Sequence, residues 1–261
     1  MLADKSKTSK KQIKDFVTKT NWFMKKYDSS VFTFLGSGSF GSVFETKRKQ
    51  DGLLVALKYI ETESDSEFEK AFEEVKLLKR LKHPNILKIF DDCFLTEPLE
   101  EDEDEEEKDK KPGGGNLYKI IIVSEEGRED LHSFIKGKKL KELEILQIFM
   151  DIVYALVYTK EKKIFHCDIK PANILVFEGK RGQNPELQSH YVADDSLCFK
   201  LMDWGGSSNL ERSATFTKIR GNEIGCSKPY ASPEIIETIK RKKKILRKSL
   251  TCTNVMFFRW Q

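Results

Sequence analysis

The sequence predicts an α+β chain in two parts. Three features carry that expectation: short β-type runs from Val31 to about Ser124, helical periodicity after it, and no internal repeat. With 261 residues, 39% of them hydrophobic, the chain is long enough to build two lobes with cores of their own.

Residues 1–27 read as a basic, partly helical extension, opening on "MLADKSKTSKKQIK" and placing Ile13, Phe16 and Val17 at helical spacing. The runs "VFTFLG", "SVFETK" and "LLVALKYI", separated by Gly-Ser-Gly and Asp-Gly turn signals, predict an antiparallel meander. Residues 66–82 put Phe68, Phe72, Val75, Leu78 and Leu81 on one stripe of an amphipathic helix, which "HPN" stops. Two more strands follow, "ILKIFDDCF" and "LYKIIIVS". The acidic run between them, within residues 97–115, is expected to be a solvated loop. After Ser124 the pattern turns helical, first in "REDLHSFIKG" and then from about Glu142 to Tyr158.

Composition excludes several classes of function. The 46 Lys+Arg against 42 Asp+Glu leave a net charge of +4, and no aromatic-basic groove is apparent, so nucleic acid is not the expected partner. The cysteines Cys93, Cys167, Cys198, Cys226 and Cys252 are odd in number and never C-x-x-C, which argues against a disulfide framework and a zinc module. The longest apolar stretch, "ILQIFMDIVYALVY", is too short to span a bilayer and contains Asp151, and the N-terminus lacks a signal-peptide core. The expectation is an intracellular protein, cytoplasmic or nuclear, with no membrane partner.

Chemistry enters with "GSGSFGSV". Gly36, Gly38 and Gly41 stand in G-x-G-x-x-G spacing between two strand-like runs, where glycines let backbone N–H groups approach phosphates. A dinucleotide fingerprint would run from strand into helix, so this context favours a hairpin flap over a nucleotide. "VALK" follows with Lys58 on a strand, and the next helix offers Glu73 and Glu74 as partners; its register makes Glu74 the inward-facing one.

With "HCDIKPANIL", "LMDWGG" and "YASPE" next in order, the chain resembles the eukaryotic protein kinases, of serine/threonine type, over roughly residues 31–236. The resemblance implies a two-lobed fold, with a β-rich antiparallel N-lobe bearing one helix (31–127) and a helical C-lobe, incomplete here (128–236), then a basic non-matching tail (237–261). It implies ATP and Mg²⁺ as cofactors, and protein substrates presenting Ser or Thr. Lys58 is then assigned to the α- and β-phosphates, Glu74 to orienting it, Asp168 to the attacking hydroxyl, Lys170 to the γ-phosphate, and Asn173 with Asp203 to magnesium. Val43 and Ala56 above, and Leu175 below, match the residues that sandwich adenine. The hinge falls near Glu125 to Gly127, with Val123 or Ser124 as gatekeeper. Lys170 carries the serine/threonine likeness, because tyrosine kinases usually have arginine and alanine in this loop.

The chain departs from the pattern at several points. Cys167 replaces an arginine that pairs with an activation-loop phosphate, so activity is not expected to be read out through a phosphate there; a structural cysteine is the expected role. Trp204 replaces phenylalanine and is expected to stack between His166 and the helix bearing Glu74. The polar insert "EGKRGQNPELQSHYVADDS" reads as a surface loop, with His190, Asp194 and Asp195 as a charged tip rather than metal ligands. "GCSKPYASPE" resembles the acceptor-peptide segment, ending in Ser232, Pro233 and Glu234. Beyond it the resemblance implies more helices, which "KRKKKILRKSLTCTNVMFFRWQ" does not match. A non-catalytic kinase-like binding module is therefore the alternative function. Read two bases later from Thr251, permitted codons give L-Y-K-C-D-V-F-S-L-A, close to the family's D-V-F-S-L-G. The expected outcome of sequencing the transcript past Gln261 is a family-like continuation in a second frame; a prompt stop with none in any frame overturns it.

Overall fold

The computed structural model describes residues 8–38, 41–99, 115–178, 197–204, 208–209 and 228–230. The bulk of the acidic run, the insert with His190, Asp194 and Asp195, the segment Ser232–Glu234, Cys226, Cys252 and the basic tail lie outside the described residues. The chain divides into two compact units, Met1–Lys79 with Lys88–Glu126, and Arg80–Leu87 with Gly127–Gln261.

The first unit is built on a five-stranded antiparallel sheet of order β1-β2-β3-β5-β4. Its strands are β1 (Tyr27–Gly38), β2 (Gly41–Arg48), β3 (Leu54–Thr62), β4 (Ile89–Pro98) and β5 (Asn116–Glu125). The first three form the expected meander; β5 then inserts between β3 and β4. Side-chain alternation gives the sheet two different faces. Along β3, Val55, Leu57 and Tyr59 are buried, while Ala56, Lys58 and Ile60 are only half-buried.

The buried face is covered by residues expected to form a mere extension. Helices α1 (Lys10–Lys19) and α2 (Asn21–Lys26) bury Ile13, Val17 and Phe23 in one core with Tyr27, Phe32, Phe44, Val55, Leu57, Tyr59, Ile121 and Val123. Among the described residues of this unit they add to α3 (Asp65–Arg80), which is the one helix within residues 31–127, as expected. Local sequence supports both starts. Ser9 and Gln12 form a capping box on α1, and the Thr20 hydroxyl accepts from the Phe23 amide at 3.2 Å at the head of α2. The lysines that mark this segment as solvated lie over rings: Lys10 Nζ is 3.5 Å from the Phe34 centroid.

Against the other face, α3 packs Ala71 and Val75 on Ile120 and Ile122, with Phe68 and Phe94 at the margin. The expected stripe is rotated slightly: Ala71 replaces Phe72, which is 44% exposed. Phe72 lies one step, about 100°, round from Ala71, and its ring meets the Phe94 ring at 5.3 Å from outside.

In the second unit, "REDLHSFIKG" forms a two-residue strand β6 (Glu129–Asp130) and a short helix α4 (Leu131–Ile135), rather than one helix. Asp130 intervenes because its carboxylate accepts from the Ser133 amide at 3.0 Å, and an N-cap residue has extended backbone. Helix α5 (Glu142–Glu161) follows as expected. Then come β7 (Ile164–Phe165), β8 (Ile174–Glu178), β9 (Leu197–Leu201) and β10 (Ser208–Asn209), with β6-β8-β9 and β10-β7 as two small antiparallel sheets. The strand expected from Ile86 starts only at Ile89. Ile86 and Leu87 are engaged by Leu201 instead, Leu87 N–H donating to its carbonyl at 2.9 Å. Among the described residues no helix is long and apolar enough to cross a membrane.

Because Phe23 is fully buried whereas Met24 is 46% exposed, Phe23→Ala is expected to lower unfolding free energy by about 3–5 kcal/mol. Met24→Ala should stay within about 0.5 kcal/mol of the parent. Urea denaturation of the full chain measures both, and equal stabilities would show that α2 is no part of the core.

Candidate functional site

In the first unit the glycine hairpin is formed by the ends of β1 and β2, where Gly38 pairs with Gly41. Gly41 has φ +115°, and a Cβ there would lie 2.1 Å from the Tyr59 carbonyl oxygen, so the position tolerates only glycine. A Cβ on Gly36 would meet nothing within 4 Å. Its glycine leaves open space rather than relieving a clash in the protein.

Below the hairpin, strand register sets Val43 opposite Lys58 and Glu45 opposite Ala56. Directly paired residues share a face, so Val43, Glu45, Ala56 and Lys58 all lie on the half-buried side, and the buried core is on the other. On α3, Glu74 is half-buried while Glu73 is exposed and pairs with Lys76 at 3.6 Å, the orientation expected from the helical register. At the end of β5, Val123 is fully buried in the core and Ser124 pairs with Ala56 on the half-buried face. The Glu125 amide donates to the Lys88 carbonyl at 3.0 Å, and its carboxylate accepts from the Lys88 amide at 2.8 Å. Neighbouring Glu126 was not singled out in the sequence. Burial, reinforced by the Glu45 carboxyl, pushes it up to about 7. Only strand register brings residues 45 and 126 near each other, so no local pattern announces the pair.

In the second unit "HCDIKPANIL" is a loop held by its own polar groups. Lys170 Nζ is 2.7 Å from Asp168 Oδ2. The Asn173 amide nitrogen donates to the Asp168 carbonyl at 2.8 Å and to Oδ2 at 3.0 Å. These bonds bring together three of the expected site residues. A 3₁₀ turn, Pro171–Asn173, supplies the geometry, and proline at its start suits the fixed φ. Leu175 follows on β8, where a Cβ on Gly127 would come within 3.2 Å of its Cβ. The hinge glycine is thus packed closely on the residue matched to the adenine floor.

Asp203 is tied to this loop through Met202. The Met202 amide donates to the Asn173 carbonyl at 3.0 Å, and its carbonyl lies 2.9 Å from His166 Nε2. His166 is 2% exposed, and its burial holds the imidazole below its usual range despite opposition from the Met202 carbonyl, Asp203 and Asp168. The neutral ring then donates from Nε2 and accepts the Asp168 amide at Nδ1 (3.4 Å). For a base held low in the folded state, the sign is fixed: stability from this packing is complete above the usual imidazole range and is lost as pH falls below it. The Trp204 ring lies 4.6 Å from His166, tilted by 52° rather than stacked on it. Cys167 is half-buried, with Sγ 3.6 Å from the Phe165 carbonyl, and together with Asp203 it adopts positive φ (66° and 61°).

The donor set fits magnesium. Asn173 directs its amide nitrogen to Asp168, so its carbonyl oxygen and the Asp203 carboxylate are the oxygens that would hold a cation. Magnesium bound with a nucleotide needs few protein oxygens because phosphates and waters complete its shell. Among the described residues no group of three His, Cys, Asp or Glu side chains is placed to hold a metal ion.

Comparison with known proteins identifies the family. A family model described as "Protein kinase domain" matches residues 29–255. Similar proteins include Calcium-dependent protein kinase 5 of Plasmodium berghei, 28% identical over 80% of this chain and 30% of that protein. Probable serine/threonine-protein kinase nek1 of Dictyostelium discoideum is 29% identical over 77% of this chain and 38% of its own length. Serine/threonine-protein kinase 36 of Pongo abelii is 28% identical over 82% and 13%. The chain therefore spans between 13% and 38% of the length of these relatives.

The Glu126 carboxyl yields a pH prediction. An acid raised in the folded state favours folding while protonated, so this contribution is present below the usual carboxylate range and is lost as pH rises through about 7. Glu126→Gln is expected to raise the melting temperature at pH 8 and leave it nearly unchanged at pH 3.5. Calorimetry at the two values checks this, and equal effects at both would refute it.

Proposed function

The chain belongs to the protein kinase family, and from that membership we propose that it transfers the γ-phosphoryl group of ATP to serine or threonine hydroxyls of protein substrates. The observation that carries the reading is the convergence of Lys170 and Asn173 on Asp168. A carboxylate held by a cation and an amide is preorganised to orient an acceptor hydroxyl without itself having to be rearranged.

Phosphoryl transfer asks the protein for positioning and charge neutralisation more than for covalent chemistry. Asp168 orients the hydroxyl and steers its proton as the new O–P bond forms and the bond to ADP breaks. Lys170 then serves the γ-phosphate, two residues from the carboxylate that holds it between turnovers. Lys58 holds the α- and β-phosphates, with Glu74 as its orienting partner. The backbone near Gly36, Gly38 and Gly41 serves the phosphates and the backbone at Glu125 the base, for which Val43, Ala56 and Leu175 are the matched apolar residues. Asn173 and Asp203 hold magnesium, which when bound neutralises developing phosphate charge. In this division residues 31–127 form the nucleotide-binding lobe and 128–236 the part that meets the protein substrate.

Radiolabelled phosphate transfer to a serine- and threonine-rich basic protein, with and without magnesium, tests the proposal. Asp168→Asn is expected to reduce turnover about 10²–10⁴-fold while leaving the ATP-induced thermal shift in place. A folded parent chain that shows neither transfer nor a nucleotide-dependent shift would replace enzyme by non-catalytic module.

A further inference from the structure

Strand β9 leads within two residues to Asp203, and among the described residues no strand pairs along its edge facing away from β8, where Leu201 makes an isolated parallel bridge to Ile86. Its backbone groups are satisfied one by one by groups from two other segments. Gln147 Nε2 donates to the Leu197 carbonyl at 2.8 Å. Asp151 Oδ2 accepts from the Phe199 amide at 3.0 Å. Asn85 Nδ2 donates to the Phe199 carbonyl at 3.0 Å. The Leu201 amide and carbonyl bond the Asn85 carbonyl and the Leu87 amide, both at 2.9 Å. Gln147 and Asp151 are one helical turn apart on α5, both 3% exposed, within its otherwise apolar middle "ILQIFMDIVYALVY". Burying an amide and a carboxylate there is costly unless each is bonded, and β9 supplies a bond to each. Met202 and Asp203 then follow with the backbone pinned to Asn173 and Asp203 at φ +61°.

We infer that Asp151, assisted by Gln147, is a positioning residue for the magnesium-binding aspartate, acting through the outer edge of β9. This rests on the assignment of Asp203 to magnesium. Neither residue touches nucleotide or metal; removing the Asp151 acceptor releases Phe199 N–H and loosens the strand that delivers Asp203.

The test uses the full 261-residue chain with Asp151→Leu, Asp151→Asn and Gln147→Leu. Two readouts are needed: the Mg²⁺ midpoint for ATP-induced thermal stabilisation, and hydrogen exchange of the Phe199 amide without ligand. Asp151→Leu is expected to raise the Mg²⁺ midpoint about tenfold, in the range of outer residues that orient metal ligands, with faster Phe199 exchange and unchanged magnesium-free ATP binding. Asp151→Asn, which keeps an acceptor oxygen, should recover most of both. A folded Asp151→Leu protein with an unchanged midpoint, or one losing ATP binding equally with and without magnesium, overturns the inference. Should that variant not fold, Gln147→Leu carries the same two outcomes. Asp203→Asn separates the premises: if it leaves the midpoint unmoved, the magnesium assignment fails, and unaltered Phe199 exchange in Asp151→Leu defeats the clamp independently.

Discussion

The peptide of Met202 is bonded at both ends to the loop that carries Asp168: its amide to the Asn173 carbonyl and its carbonyl to the His166 ring. This double attachment holds two otherwise separate stretches in register, and the second bond requires His166 to keep its Nε2 proton while Nδ1 receives the Asp168 amide. A buried, neutral histidine is therefore not incidental packing. Exchanging it for an apolar residue would leave the Met202 carbonyl short of a donor, which costs about 1–3 kcal/mol for a buried group. The Trp204 ring against His166 screens the bond from water.

Strain is concentrated around the same attachment. Cys167 and Asp203, each next to a residue of this network, adopt left-handed backbone that non-glycine residues enter at a cost of about 1–3 kcal/mol. Such conformations persist where the surroundings over-determine them. Here those surroundings are the bonds from Lys170 and Asn173 to Asp168, the anchored Met202, and the saturated edge of β9. The positive φ at Cys167 turns its neighbour Asp168 toward Lys170 and Asn173. The thiol contributes a weak contact with the Phe165 carbonyl, consistent with a structural rather than a charged role at that position.

In the first unit an equivalent organising role falls to the alternation of β3. Leu57 and Tyr59 point into the core that α1 and α2 complete, so Lys58 between them must point the other way, to the face shared with Val43 and Ala56. Phe16 meets Tyr59 edge-on at 6.1 Å, and the Tyr59 hydroxyl donates to Glu61 at 2.6 Å. The helices that look like an appendage thus back the strand carrying the lysine.

Much was legible in the amino-acid order, because it depends on near neighbours. Strand alternation announced the meander, glycine spacing announced the hairpin, and "HCDIKPANIL" placed an aspartate, a lysine and an asparagine within six residues, close enough for one loop to bring them together. What sequence patterns could not decide depends on residues far apart. The lysine-rich start reads as solvated because its apolar residues, Ile13, Val17 and Phe23, are few; their burial follows only from a sheet face that needs cover. Asp130 broke an expected helix by capping it, and Ile86 left a strand because Leu201, 115 residues on, engages it. Glu126 meets Glu45, and Asp151 meets Phe199, only after strands and helices have assembled. Local order determined which residues could do chemistry; tertiary structure decided which of them are held still, since a buried hydrogen bond is specified by both of its ends and the chain shows only one at a time.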